Sequence, residues 1–218
     1  MNSRDYKILR PGNYYHIFNR GNNKEKVFLD DQDFLNFLKR LKLALGIAQP
    51  ANARGHLVKQ QGVPLHSRPA LRIRPFPAGA FTIICYCLMP NHFHFLIRQN
   101  TDIGIDLLIQ KVCTSYAAYF HNKYNRVGHV FQGAFKSKLV ENDSYFKYLS
   151  AYIHNNPTDP LSYDYSSFKD YLGLRKGQIC DKSFLLGLFN NNSGDYKKFV
   201  LEFSQQDQES IKDILFEE

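Results

Sequence analysis

The order of hydrophobic patterns along the chain predicts an α+β fold: a ferredoxin-like antiparallel sheet with packed helices and a small helical C-terminal extension. Three observations predict it. Strand-like and helix-like stretches follow one another as strand, helix, strand, strand, helix, strand, helix. Residues 80–88 are almost wholly apolar, and soon after them comes the alternating run His92-Phe93-His94-Phe95, two patterns that suit a buried strand and its neighbour. Helical stripes at Phe34, Phe37, Leu38, Leu41 and Leu45, and at Ile105, Leu108, Ile109, Val112, Tyr116, Tyr119 and Phe120, supply two amphipathic helices to cover the sheet.

Taken in order, Tyr14 to Phe18 is β-rich and runs into Asn19-Arg20-Gly21-Asn22-Asn23, a sequence with turn chemistry. Asp30 or Asp31 caps the first helix, which extends to Gly46. Ala80 to Leu88 reads as a central strand covered on both faces, and Met89-Pro90-Asn91 turns the chain into an antiparallel partner, the pair forming the sheet centre. A long packing helix spans Asp102 to Tyr124. After a Gly-punctuated basic loop from Asn125 to Gly133, Ala134 to Val140 is a strand with Lys136 and Lys138 on one face. Asn142 or Asp143 caps a helix through Tyr145, Tyr148, Leu149, Tyr152 and Ile153, which Pro157 stops. Beyond it, Tyr163 to Leu174 reads as a loop with a short helix, and Ser183 to Phe189 and Tyr196 to Phe203 as small helices. The chain thus divides into a main domain, 1–174, and a helical extension, 175–218.

Within the main domain, residues 49–79 hold Arg54, Lys59, Arg68, Arg72 and Arg74 and no acidic residue. This is a basic insertion or long loop, either a linker or an arm that contacts a polyanion. The whole chain carries 28 Lys and Arg against 20 Asp and Glu, a formal charge of +8, and nucleic acid is the usual partner of such an excess. No apolar stretch is long enough to span a bilayer and no signal segment opens the chain, so a cytoplasmic protein is expected. Cys85, Cys87, Cys113 and Cys180 lack the spacing of a metal or disulfide framework and are expected to be reduced, Cys85 and Cys87 filling a strand face.

His92 and His94 leave one face of their strand while Phe93 and Phe95 enter the core. Two imidazoles then converge, and with a third donor they can hold a divalent ion that polarises a phosphate oxygen. Tyr152 and Asn156 are spaced to share one face of the last turn of their helix. If that face lies over the histidine strand, Asn156 is the third ligand and Tyr152 an attacking oxygen. The competing reading is packing, because Tyr145, Tyr148 and Tyr152 form a stripe; Tyr116 and Tyr119 are rival nucleophiles set in an apolar one.

Met89-Pro90-Asn91-His92-Phe93-His94-Phe95-Leu96-Ile97, the run from Gly128 to Ser137, and Tyr152-Ile153-His154-Asn155-Asn156-Pro157 together resemble the REP-associated tyrosine transposases and the wider insertion-sequence-200-like family. The resemblance covers roughly Tyr14 to Leu174 without the basic insertion, which departs from the family's short connection. It implies an HUH-type, single-tyrosine transposase: His92, His94 and Asn156 as ligands of Mg²⁺ or Mn²⁺, and Tyr152 as the nucleophile. The implied activity is cleavage and strand transfer of single-stranded or hairpin DNA through a 5′-phosphotyrosine, with a homodimer as one assembly to be considered.

Along the DNA path the candidates are His16, Arg20, Arg126, His129, Gln132, Lys136 and Lys138, with Arg126 and Lys136 preferred as phosphate contacts. His154 sits beside the metal or is hydrogen-bonded in the core; His56, His66 and His121 read as surface residues. Two rival functions stand beside this one: a regulator that binds DNA or RNA hairpins but has lost its chemistry, and a replication-initiator or relaxase-like nickase.

Overall fold

The computed structural model describes residues 9–47 and 73–212. Arg54, Lys59, Arg68 and Arg72 of the basic segment, with His56 and His66, lie outside the described residues.

Strand β1 (Tyr14–Arg20) alternates, so that Tyr15 and Ile17 point to one face and His16 and Phe18 to the other. Helix α1 (Asp31–Ala44) starts at Asp30, whose carboxylate accepts from the Asp33 backbone N–H while the Asp33 side chain returns the bond, a reciprocal capping box. Strands β2 (Phe81–Met89) and β3 (His92–Gln99) form a hairpin, helix α2 (Ile105–Tyr124) follows, and β4 (Lys136–Val140) leads into helix α3 (Asp143–His154). The sheet order is β2-β3-β1-β4, and every neighbouring pair is antiparallel. This is the ferredoxin-like α+β plan.

The expected place of β2 needs correction. It is an outer strand of the sheet, and the centre is β3 with β1. Its unbroken apolar run has another cause: helices cover both its faces, and its outer edge is met by bridges from Cys87 to Ser166 and from Ile83 to Cys180. Covering an edge in this way removes the unpaired backbone groups that make a hydrophobic edge strand hazardous.

Two cores flank the sheet. Tyr15, Ile17, Phe93, Phe95 and Ile97 pack with Phe37, Leu41, Leu108, Val112 and Tyr116 of α1 and α2. On the opposite face Cys85, Cys87, Leu96 and Val140 pack with Phe146, Leu149 and Ile153 of α3. The same cluster takes in Phe168 and Tyr171 of α4 (Phe168–Tyr171), Leu185 of α5 (Ser183–Gly187), and Tyr196 and Val200 of α6 (Ser193–Leu201). The chain continues into α7 (Gln205–Glu209). Phe93 and Phe95 are wholly buried, at ~2 kcal/mol of apolar transfer each. A one-residue slip of β3 would exchange both for histidines, so these phenylalanines set the register that aims the imidazoles.

Helix α3 is capped by Asn142, which accepts from the Tyr145 N–H at 2.9 Å, and it ends at His154. Pro157 disfavours helical backbone at the residue before it, and Asn155 is the C-cap with φ −90° and ψ 5°. Asn156 therefore stands just past the helix and not in its last turn as the spacing suggests. Among the described residues no helix is long and apolar enough to cross a membrane.

Candidate active site

The pairing register lines up the site. Phe18 lies opposite His94 and Arg20 opposite His92, while Phe18 lies opposite Lys136 and His16 opposite Lys138 on the other side of β1. Directly opposed residues share a sheet face, so His92, His94, His16, Arg20, Lys136 and Lys138 all stand on the side covered by α3. The His92 and His94 rings are 5.0 Å apart. Against them stands the Tyr152 ring, edge-on to His94 with centroids 5.5 Å apart and edge-on to His16 at 6.3 Å. The tyrosine stripe of α3 thus divides its work: Tyr148 packs on Phe199 of α6, and Tyr152 meets the histidines.

Asn156 Oδ1 is 2.8 Å from His92 Nε2, and His92 Nδ1 is 2.7 Å from Asn91 Oδ1. An amide oxygen only accepts, so both ring nitrogens of His92 face acceptors, while a neutral imidazole has one N–H to give. The Asn156 amide nitrogen is turned back to the Tyr152 carbonyl at 3.4 Å. One of the two contacts is therefore left without a proton in the neutral ring, and a second ring proton or a cation shared with the oxygen would satisfy it. Donors about 2.1 Å from one octahedral ion lie about 3 Å apart, which fits the observed gap.

His94 is 1 % exposed, and burial, followed by the neighbouring His16 and His92, holds its imidazole well below the usual histidine range. A neutral ring is the form that can ligate a metal. Among the described residues no set of three or more His, Cys, Asp and Glu side chains gathers as a metal site; the donors here are two imidazoles and an amide. Imidazole nitrogen is at home on borderline transition ions and an amide oxygen on harder ones, so the donor set admits a divalent ion without singling one out.

The other predicted residues separate. Arg20 donates from Nε to Gln132 Oε1 at 2.5 Å, and both line a small pocket of ≈ 90 Å³ with Phe18, Asn19, Ala134 and Lys136. Lys136 and Lys138 are exposed on β4. Arg126 is committed elsewhere, its guanidinium donating to the Glu25 carboxylate. His129 is exposed in the loop after α2 and lines a groove of ≈ 520 Å³ with α2 residues such as Gln110 and His121; α2 covers the sheet face opposite the paired histidines. His121 itself bonds the Gly128 carbonyl at 2.8 Å.

Two expectations about histidines are corrected or resolved. His16 is fully buried and lies 2.9 Å from His94 through its Nε2, so it does not line an open path; the signal for it was a histidine at an inward position of an apolar strand. His154 belongs to the core, held by Ser167 Oγ at 2.8 Å and by the Tyr196 hydroxyl at 2.7 Å. The rival tyrosines are engaged on the other side of the sheet. Tyr116 donates to the Val27 carbonyl, and Tyr119 to Asp33 at 3.0 Å.

Residues 77–156, which contain β2 through α3 together with His92, His94, Tyr152 and Asn156, match the family model for IS200-like transposases. The segment that carries the site is thus similar to the IS200-like transposases. In fold, the chain is similar to a REP-associated tyrosine transposase solved bound to a REP hairpin, at 14% identity and a TM-score of 0.50 over 79% of this chain and 90% of that one. A protein of Deinococcus radiodurans R1, provisionally described as a transposase, aligns more loosely: 11% identity and a TM-score of 0.38, over 71% of this chain and 96% of that one. No curated protein matches the chain by sequence.

Proposed function

We propose that the chain is a metal-dependent endonuclease and strand transferase for single-stranded DNA, with Tyr152 as its nucleophile. The observation that supports this most is the Tyr152 ring set edge-on to His94, 5.5 Å between centroids, while Asn156 from the same segment reaches His92. Packing alone does not require a phenol, two imidazoles and an amide to meet.

His92, His94 and Asn156 would hold Mg²⁺ or Mn²⁺, which as a Lewis acid polarises a phosphate oxygen. Tyr152 forms a bond from its hydroxyl oxygen to phosphorus as the bond from phosphorus to the 3′ oxygen breaks. The phenol proton passes to water, and the departing 3′ oxygen takes up a proton, leaving a 5′-phosphotyrosine and a free 3′-hydroxyl. A different 3′-hydroxyl can attack this ester, release Tyr152 and join two strands, so no nucleotide cofactor is needed. Arg20, Lys136 and Lys138, on the same sheet face, neutralise the DNA backbone beside the reacting phosphate. The hairpin bound by the solved neighbour makes a DNA hairpin with a single-stranded flank the first substrate to try.

The test is to incubate the protein with end-labelled hairpin and single-stranded DNA and Mg²⁺ or Mn²⁺, then denature it. A labelled protein adduct is expected, absent in Tyr152→Phe and absent with chelator. DNA binding without adduct or nicking in either metal would overturn the proposal in favour of a regulator without chemistry.

A further inference from the structure

Both candidate histidine ligands have an outer ring nitrogen engaged by another side chain. For His92 the partner is the amide oxygen of Asn91. For His94 it is a second imidazole: His94 Nδ1 lies 2.9 Å from His16 Nε2, and the rings meet edge to edge, nearly coplanar, with centroids 5.1 Å apart and planes 21° apart. Such a contact carries one proton, and its direction decides what His94 can do. If His16 donates, the neutral His94 ring keeps its proton on Nε2 and has no lone pair left for a ligand. If His94 donates, its Nε2 lone pair is open.

Metal-binding histidines commonly give their outer N–H to a carboxylate, a backbone carbonyl or water. In this chain neither outer partner is a carboxylate: one is an amide and the other an imidazole. A carboxylate buried behind His94 would add negative charge next to a site that has to admit a polyanion, whereas an imidazole accepts the bond without doing so. The His16 ring also reaches the nucleophile. Tyr152 meets His16 and His94 at the same 81° because those two rings are nearly parallel, so the hydrogen-bonded pair is one surface against which the phenol stands.

We infer that His16 is a positioning residue: it accepts the Nδ1 proton of His94, holds that ring in the tautomer that leaves Nε2 open to a divalent ion, and sets the Tyr152 ring beside it. This rests on the reading of His92, His94 and Asn156 as a divalent-metal site. His16 itself touches neither metal nor phosphate.

The experiment uses the full chain. Nitrogen-15 NMR of the metal-free wild-type protein reads which nitrogen of His94 carries its proton, and titration followed by electron paramagnetic resonance reads Mn²⁺ affinity. Protonation at Nδ1 is expected. His16→Phe, which cannot accept, should weaken Mn²⁺ binding by about 10- to 100-fold. His16→Gln, whose amide oxygen reaches about as far from Cβ as Nε2 and only accepts, should restore affinity to within a few-fold. A His94 proton on Nε2 in the wild type overturns the inference, as does wild-type Mn²⁺ affinity in His16→Phe. So does a folded His16→Gln as weak as His16→Phe. If His16→Phe does not fold, the wild-type tautomer and the His16→Gln affinity decide. His92→Ala separates the two layers: if the wild type binds no Mn²⁺, or binds it equally well without His92, the metal site itself is wrong, whereas the His94 tautomer still reports on His16.

Discussion

Tyr116 and Tyr152 carry the same phenol in opposite circumstances, and substituting each tests which does chemistry. Tyr116 is wholly buried, burial first and then Asp33 drive its hydroxyl far above the usual tyrosine range, and it serves the Val27 carbonyl. Tyr116→Phe should retain the DNA adduct and cost about 1–3 kcal/mol in denaturant unfolding, because it leaves a buried acceptor unmet. Tyr152→Phe should abolish the adduct and change stability by less than that. The cations divide in a similar way. For Lys136→Ala, the slope of log K against log salt for single-stranded DNA should fall by about 0.7, one phosphate contact. Arg126→Ala should leave the slope unchanged, since that guanidinium answers Glu25; equal losses in the two variants would contradict the placement of the DNA path. Sequence reading reached His92 and His94 because strand alternation is local, and it reached the Tyr152 and Asn156 pair from helical spacing. It did not reach the Arg126 partner or the His16 partner, because both belong to segments far away along the chain and the choice between Glu25, a phosphate or solvent is made by tertiary structure.

At the scale of the element, α3 is the piece on which the site depends, and a buried histidine fastens it. His154 is enclosed between Ser167 and Tyr196, and burial pushes its pKa down to about 3. Its unfolded value is about 6.5. Between those values the unfolded chain binds the proton and the native chain does not, so stability rises with pH across the window and is lost as pH falls from about 6.5 towards 3. The slope from this one group approaches ~1.4 kcal/mol per pH unit. Urea unfolding from pH 7 to 4 should show that loss, and His154→Gln should flatten it; equal slopes for the two proteins would mean that His154 titrates freely in the fold. The existence of α3 was legible from its stripe and its Asn142 cap. Its end was less so, because Pro157 acts on the residue before it and moves Asn156 out of the helix. The edge position of β2 was hidden for another reason: a strand buried on both faces reads alike at the centre of a sheet or at an edge that another segment covers.

The whole molecule decides whether one chain completes the site. Helix α3 packs on its own sheet through Phe146, Leu149 and Ile153, each at most 2 % exposed, and α6 packs in turn on α3 through Tyr196 and Val200. The helix is thus enclosed between sheet and extension, and Tyr152 faces the His94 of the same chain. Exchanging α3 with a second copy would require breaking that layer; each of the three apolar anchors represents ~2 kcal/mol of burial, before the bonds to His154 are counted. Nucleophile and metal ligands should therefore act within one subunit. Mixing Tyr152→Phe with His92→Ala tests this, because each protein lacks a different half of the site. Arrangement within one chain predicts no adduct above the sum of the two separate proteins at any mixing ratio. Exchange between subunits would restore adduct in the mixture, on the His92→Ala chain that still has Tyr152, with a yield that rises with protein concentration. Recovery of that kind would show that α3 leaves its sheet in the active state, and the enclosure by α6 would then be a resting arrangement that has to open before DNA is cut.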